Sequence, residues 1–326
     1  MKRMVAVLIS FLLFLSLAAI SLQVGAVPVP LRELWASLTF QDSPASYIVL
    51  QYRLPRVIIA ALAGFGLAAA GAILQSIIRN PLASPDVIGI TKGAGFTAAA
   101  VIFLFPGAPS YVLPVAAFAG AFGALLILVL LSRRMTLSPA SFALVGVAVG
   151  AVFQAGIQYL LVKHPSDVNM ALLWMSGSLW GRGWDHVGLL LPWIAVLLPV
   201  AWLNYGKLNV FQLGDEGSSA LGLNVPKQRL LLLLLAVALT GSSVAAVGSI
   251  GFVGLIAPHI ARLLVGGRHQ WLLPLAALIG ADLMLIGDIV GRVLIIPREV
   301  PVGITTAVIG APYFIYLLRR ERLKAG

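Results

Sequence analysis

The chain has 326 residues, 60% of them hydrophobic and only 10% charged, with a mean hydropathy of +1.02 and a net charge of +11. That composition excludes an ordinary water-soluble enzyme, for which about a quarter of residues are charged, and it is too aliphatic for a disordered chain. The absence of cysteine removes disulfide scaffolds, iron–sulfur clusters and thiolate metal sites, and the 4 scattered histidines show no metal-ligand spacing.

Taken in chain order, the first apolar run is Val5 to Val24, behind Lys2 and Arg3. Small residues at Ala18 and Ala19 give it some likeness to a secretory signal, but a run of about twenty residues exceeds the roughly 7 to 15 of a signal core and predicts a retained first helix. Further runs fall at about 57–78, 86–105, 112–131, 139–162, 187–203, 230–248, 250–265, 271–291 and 302–318. The sequence therefore predicts an all-α polytopic membrane protein of about ten transmembrane helices, residues 1–326 forming one domain.

Ser84-Pro85-Asp86 and Ser138-Pro139 each pair a capping hydroxyl with Pro at a first helical position, which predicts helix starts at both. From Leu230 to Val265 the chain is apolar for about 36 residues, roughly 54 Å as one helix, which is longer than a bilayer core is thick. A break is expected at Gly248-Ser249-Ile250-Gly251, followed by a short helix interrupted by Pro258.

Basic residues test this topology. An even number of crossings from a cytoplasmic start leaves Lys2, Arg3, Arg79, Arg133, Arg134, Lys207, Lys227, Arg229, Arg262, Arg268, Arg319, Arg320, Arg322 and Lys324 inside. It leaves Arg32, Arg53, Arg56, Lys163, Arg182, Arg292 and Arg298 outside, an excess of about two to one that supports two cytoplasmic termini. Because topology explains every basic cluster, the positive charge does not point to nucleic acid.

Chemistry-bearing motifs are sparse. No glycine-rich loop ends in Gly-Lys-Ser/Thr, since Gly206-Lys207 is followed by Leu208, so any ATP that drives this protein is hydrolysed by another chain. Asp282 and Asp288 share an apolar run but point about 240° apart on a helix, which disfavours an intramembrane carboxylate enzyme. Asp288 lies four residues before Arg292 as an ion-pair candidate, whereas Asp282 lacks a sequence-local partner and is a functional-site candidate. Between the sixth and seventh runs, about 204–228, lies a polar segment too long for a tight turn and too apolar for a solvated linker. Within it, Asp215-Glu216 suits a short helix start and Ala220-Leu221-Gly222 its end. An amphipathic helix of that kind needs a partner surface or the lipid headgroups.

These residues carry a resemblance. Leu213-Gly-Asp-Glu with Ala220-Leu-Gly is similar to the coupling loop of the permease family of iron-siderophore and vitamin B12 ABC importers. Arg53-Leu-Pro-Arg56, Arg79-Asn-Pro-Leu-Ala-Ser-Pro-Asp86, Gly251 to Arg262, Gly267-Arg-His269, Asp288-Ile-Val-Gly-Arg292 and Glu299 to Gly303 resemble further blocks of that family. Asp167 to Trp174 and Gly177 to Arg182 look most like its ferric-citrate permeases.

The resemblance implies a type II importer permease in the cytoplasmic membrane, paired with an identical or related second permease. Two ATPase subunits, which would bind ATP and Mg, and an extracytoplasmic substrate-binding protein would complete the assembly; this chain would hold no cofactor or metal of its own. It implies that Leu213, Gly214, Asp215, Ala220, Leu221 and Gly222 meet the ATPase, and that Arg53, Arg56 and Arg292 meet the binding protein. It implies a pathway gate near Asn80 and Leu82, with Ser138 and Ser141 nearby. Lys92 departs from the family; it either snorkels to headgroups or favours an anionic cargo. His259 and Arg262 serve equally as structural packing or pathway lining. A ferric carboxylate chelate is the expected cargo, with hydroxamate siderophores, haem and vitamin B12 as alternatives and an ion-coupled secondary transporter as the alternative of another class.

Overall fold

The computed structural model describes residues 2–133, 139–165, 168–296 and 298–325. Those residues form helices α1 (Lys2–Gln23), α2 (Leu31–Leu38), α3 (Leu54–Ile78), α4 (Ile90–Leu104), α5 (Val112–Arg133), α6 (Pro139–Lys163) and α7 (Val168–Met175). They continue with α8 (Trp184–Leu203), α9 (Tyr205–Phe211), α10 (Gly214–Ala220), α11 (Val225–Val247), α12 (Val253–Val265), α13 (His269–Val293) and α14 (Val302–Ala325). A π-helical turn, Ile48–Arg53, leads into α3. Among the described residues, 7 helices are long and apolar enough to cross a bilayer, and α4, α12 and the first part of α14 are shorter apolar helices. Together these ten match the number of runs expected from hydropathy.

The centre of the bundle is α3, whose span is 89% buried against 22% for α8 and 17% for α1. Its composition explains the place, because lipid offers no hydrophobic drive between helices and small residues let backbones meet. Gly64 lies against the backbone of Gly280 and Ala281 on α13, and Gly71 against the carbonyl of Gly254 on α12. A side chain at Gly71 would have to displace that backbone. The same device pairs α4 with α5, where Gly93 faces Gly120 and Thr97 Oγ1 donates to the Ala116 carbonyl at 2.7 Å.

The expected break in the long apolar run is present. α11 ends at Val247, Gly248 adopts φ 80°, and α12 starts at Val253 after Phe252 at φ 67°. Since Gly254 packs beside Gly71, seven residues or about 10 Å from the end of α3, the non-helical stretch 248–252 lies at depth. Such backbone survives in a membrane only when protein covers it. Here Ser178 N–H donates to the Val247 carbonyl at 2.9 Å, Gly303 N–H donates to the Gly177 carbonyl at 3.0 Å, and Gly303 also abuts the carbonyls of Ser176 and Ser249.

One expected helix start is corrected. Ser84 Oγ does accept the Val87 N–H, at 3.4 Å, but this forms only a turn, and α4 begins at Ile90 behind Gly89 at φ 83°. Gly89 is wedged against Gly146 and Gly150 of α6, a close approach that overrides the cap-and-proline signal. For the other start, α6 begins at Pro139 and Ser138 lies outside the described residues.

Candidate functional site

Ion pairs among the described residues fall in two clusters at opposite ends of α3. The first gathers where α3 ends and α9 and α10 sit. Gly214 opens α10 at φ 87°, a conformation that costs a residue with a Cβ, and Arg79 Nη1 would be only 2.9 Å from such an atom. Arg79 itself caps α3 in the left-handed region at φ 53°. Asp215, in the first turn of α10, accepts two hydrogen bonds from Arg229 Nη2 on α11, at 2.7 and 2.9 Å, and lies 3.8 Å from Arg79 Nη2. One carboxylate thus ties α10 to the start of α11 and to the end of the central helix.

The opposite face of this elbow is pinned as well. Asn209 Oδ1 accepts the His269 N–H at 2.8 Å, Gln212 Nε2 donates to the Gly267 carbonyl at 2.8 Å, and Ser218 Oγ donates to the Val210 carbonyl at 2.9 Å. His269 is fully buried and reaches Ser76 of α3 with its Nε2. Displacing α9–α10 must therefore pull on α3, α11 and α13 together. Outward, the residues flanking α10 are exposed, Leu213 at 62% and Leu221 at 65%, and Ala220 and Gly222 on either side of Leu221 are exposed as well. Sequence reasoning selected these outward residues but missed Asn209, Gln212 and Ser76, whose only signal was polar residues interrupting apolar segments.

The second cluster joins α1, α3, α13 and the loop before α14. Arg56 Nε donates to Asp288 Oδ1 at 2.9 Å, and its terminal nitrogens reach both oxygens of Glu299 at 3.2 and 2.7 Å. Arg292 Nη2 lies 3.1 Å from Asp288 Oδ2, the i,i+4 pair expected from sequence. Arg292 Nη1 also donates to the carbonyls of Ser21 and Val24, at 3.0 and 2.8 Å. Arg53 donates to the carbonyls of Leu22 and Gln23, both at 2.8 Å, and to that of Val27. These two guanidiniums satisfy carbonyls at and beyond the end of α1, which a helix leaves without partners.

This geometry departs from the expectation that all three arginines face outward. Arg53 is 7% and Arg292 6% exposed, so only Arg56, with a side chain 15% exposed beside Glu299, retains an edge at the surface. The reason is that buried guanidiniums need several acceptors, and the end of α1 supplies them. Nearby, Arg182 is lowered from the usual guanidinium pKa by burial, and its Nη1 lies 2.7 Å from His186 Nε2.

Of the expected gate, Asn80 is exposed and its Oδ1 accepts the Leu82 N–H at 2.8 Å, a local turn that leaves Leu82 half-buried. Ser141 stands in the first turn of α6, and Lys92 lies along Gly150 of the same helix. Asp282 is 4% exposed and its Oδ1 has no hydrogen-bond partner among the described residues, whereas Asp288 is engaged by two arginines. The two carboxylates therefore do not act as a pair. His259 sits edge-on to Tyr313 of α14.

Comparison with known proteins agrees in sequence and fold. A model of the FecCD transport family matches residues 11–320. The Fe(3+)-citrate import system permease protein YfmE of Bacillus subtilis is 52% identical over 99% of this chain and 97% of its own length. The Fe(3+) dicitrate transport system permease protein FecD of Escherichia coli is 42% identical over 96% of this chain and 99% of its own. A solved chain of a metal-chelate type ABC transporter, captured inward-facing, superposes with a TM-score of 0.87 at 33% identity, covering 96% of this chain and 98% of that one.

Proposed function

The chain belongs to the FecCD transport family, and from that premise we propose that it is the membrane-spanning permease of a binding-protein-dependent importer that carries a ferric carboxylate chelate inward. It is a transport subunit, and ATP hydrolysis belongs to a partner chain. The observation that carries the mechanism is the elbow of α9 and α10, exposed and apolar on one side and tied by Asp215 and His269 to three bundle helices on the other.

On this proposal the end bearing α10 faces the cytoplasm together with both termini, in keeping with its excess of basic residues. Leu213, Gly214, Asp215, Ala220, Leu221 and Gly222 seat in a cleft of the ATPase, where small residues allow close approach. When nucleotide closes that ATPase, α10 moves as a rigid piece and drags the ends of α3, α11 and α13, a shear that exchanges inward and outward access. A second permease, identical or related, packs beside this one to enclose the pathway.

At the outer end, docking of the binding protein falls to Arg56 and Glu299 on the rim. Arg53 and Arg292 act one step behind as positioning residues that hold the end of α1. A single exposed ion pair contributes at most about 1 kcal/mol, so the rim orients the partner more than it retains it. Asn80, Leu82 and Ser141 narrow the inner end of the pathway. Lys92, half-buried beside Gly150 of α6 and in no ion pair among the described residues, favours an anionic over a neutral chelate. The cargo assignment leans on the two ferric-citrate relatives and on that charge.

The coupling role is tested with Ala220→Trp in the reconstituted importer. Insertion and basal ATP hydrolysis are expected to persist while uptake per ATP falls at least tenfold. Uptake and hydrolysis that remain coupled as in the parent protein would refute the seating of α10 against the ATPase.

A further inference from the structure

A cavity of about 450 Å³ opens where α1 and α13 begin, lined by Lys2, Arg3, Met4 and Trp271. Its position brings two helix N-termini, both positive ends of helix dipoles, to one place. Arg3 reaches across toward the turn before α13, since a Cβ on Gly266 would lie 3.9 Å from its Nη2, and Arg268 on that turn is exposed. Among the described residues neither Lys2, Arg3 nor Arg268 has an ion-pair partner. The cationic charges therefore gather around a concave space with no counter-charge among the described residues.

Two further observations decide what fits there. Leading away from the cavity, Met4, Leu8, Leu12 and Leu15 form an exposed apolar stripe on α1, 64%, 56%, 54% and 47% exposed. At 1.5 Å per residue that stripe runs about 16 Å into the bilayer, a path for acyl chains rather than for a soluble anion. Trp271, with Trp202 and Tyr205 on the neighbouring helices, marks the level of the headgroups, and Trp202 Nε1 donates to the Gln270 carbonyl beside it. We infer that the cavity is a binding site for the phosphate headgroup of an anionic phospholipid, with Lys2 and Arg3 as its ligands, Trp271 as its wall and α1 as the bed of the acyl chains. The lipid bridges α1 and α13, and α13 is pinned to α9 through His269. An occupied site steadies the elbow through which the ATPase acts.

The test is native mass spectrometry of the assembled transporter after stepwise delipidation, with phosphatidylglycerol and phosphatidylcholine offered in equal amounts. The parent protein is expected to retain phosphatidylglycerol preferentially, and the double variant Lys2→Gln, Arg3→Gln to bind it about thirty-fold more weakly. The charge-preserving exchange Lys2→Arg, Arg3→Lys guards against a variant that merely inserts badly and is expected to behave as the parent. Lys227→Gln, an exposed basic residue at the same end but outside the cavity, is also expected to change nothing. Equal retention of both lipids by the parent, or an equal loss in Lys227→Gln, would overturn the site. Displacement of the lipid by inorganic phosphate at millimolar concentration would assign the cavity to a soluble anion instead.

Discussion

Asp215 is the residue on which the mechanism concentrates, because a single carboxylate receives Arg229 from α11 and Arg79 from the end of α3. If it acts as a mechanical link, Asp215→Asn and Arg229→Gln should each cut uptake several-fold, and the double variant should be no worse than either. Additive losses in such a cycle would mean that the two side chains act separately. At Lys92, replacement by Gln is expected to slow uptake of an anionic ferric chelate several-fold and to leave a neutral hydroxamate chelate unaffected. Equal rates for both cargoes before and after replacement would assign the side chain to the headgroups. Outward chemistry was legible at this scale: the acidic start and glycine end of α10 could be read from Asp215, Glu216 and Gly222. What could not be read was which basic residue each acid meets, since Arg79 and Arg229 lie 136 and 14 positions from Asp215 and only the fold brings them together.

Among elements, α1 shows how packing redirects side chains that sequence alone places at an interface. The resemblance assigned Arg53, Arg56 and Arg292 to partner docking, whereas in the fold two of these arginines turn inward onto the carbonyls of α1. Periodicity carries no information about that choice, which depends on where the first helix stops. Asp288 is the hub, 1% exposed and facing both Arg56 and Arg292. Asp288→Asn leaves the buried Arg292 short of its counter-charge, while Arg56 keeps Glu299, and breaking a buried pair in this way costs about 3–5 kcal/mol. Release of the α1 end should appear as faster proteolysis between residues 24 and 30, and an unchanged cleavage rate would separate Asp288 from the anchoring of α1. The break between α11 and α12 was legible because 36 apolar residues exceed a bilayer; the late start of α4 was not, because the close contact of Gly89 with α6 outweighs a local cap.

At the level of the whole molecule, one small-residue core carries an ion-pair cluster at each end. The core can transmit displacement because α3 touches α11, α12 and α13 through backbone-close contacts at Gly64, Gly66 and Gly71, which leave little slack to absorb a movement. Hydropathy sufficed for the number of apolar spans, since it is summed over the chain. Assembly with partner chains is a property of surfaces, and on the proposed reading the exposed leucines flanking α10 and the rim at Arg56 are where this chain would meet them. The central claim is that this permease moves cargo only with work supplied by a separate nucleotide-hydrolysing subunit. Uptake of radiolabelled ferric citrate into proteoliposomes, with the binding protein present and the ATPase either included with ATP or omitted, measures it directly. Uptake confined to the vesicles that contain both ATPase and ATP is the expected result, and accumulation at the full rate without the ATPase would contradict it.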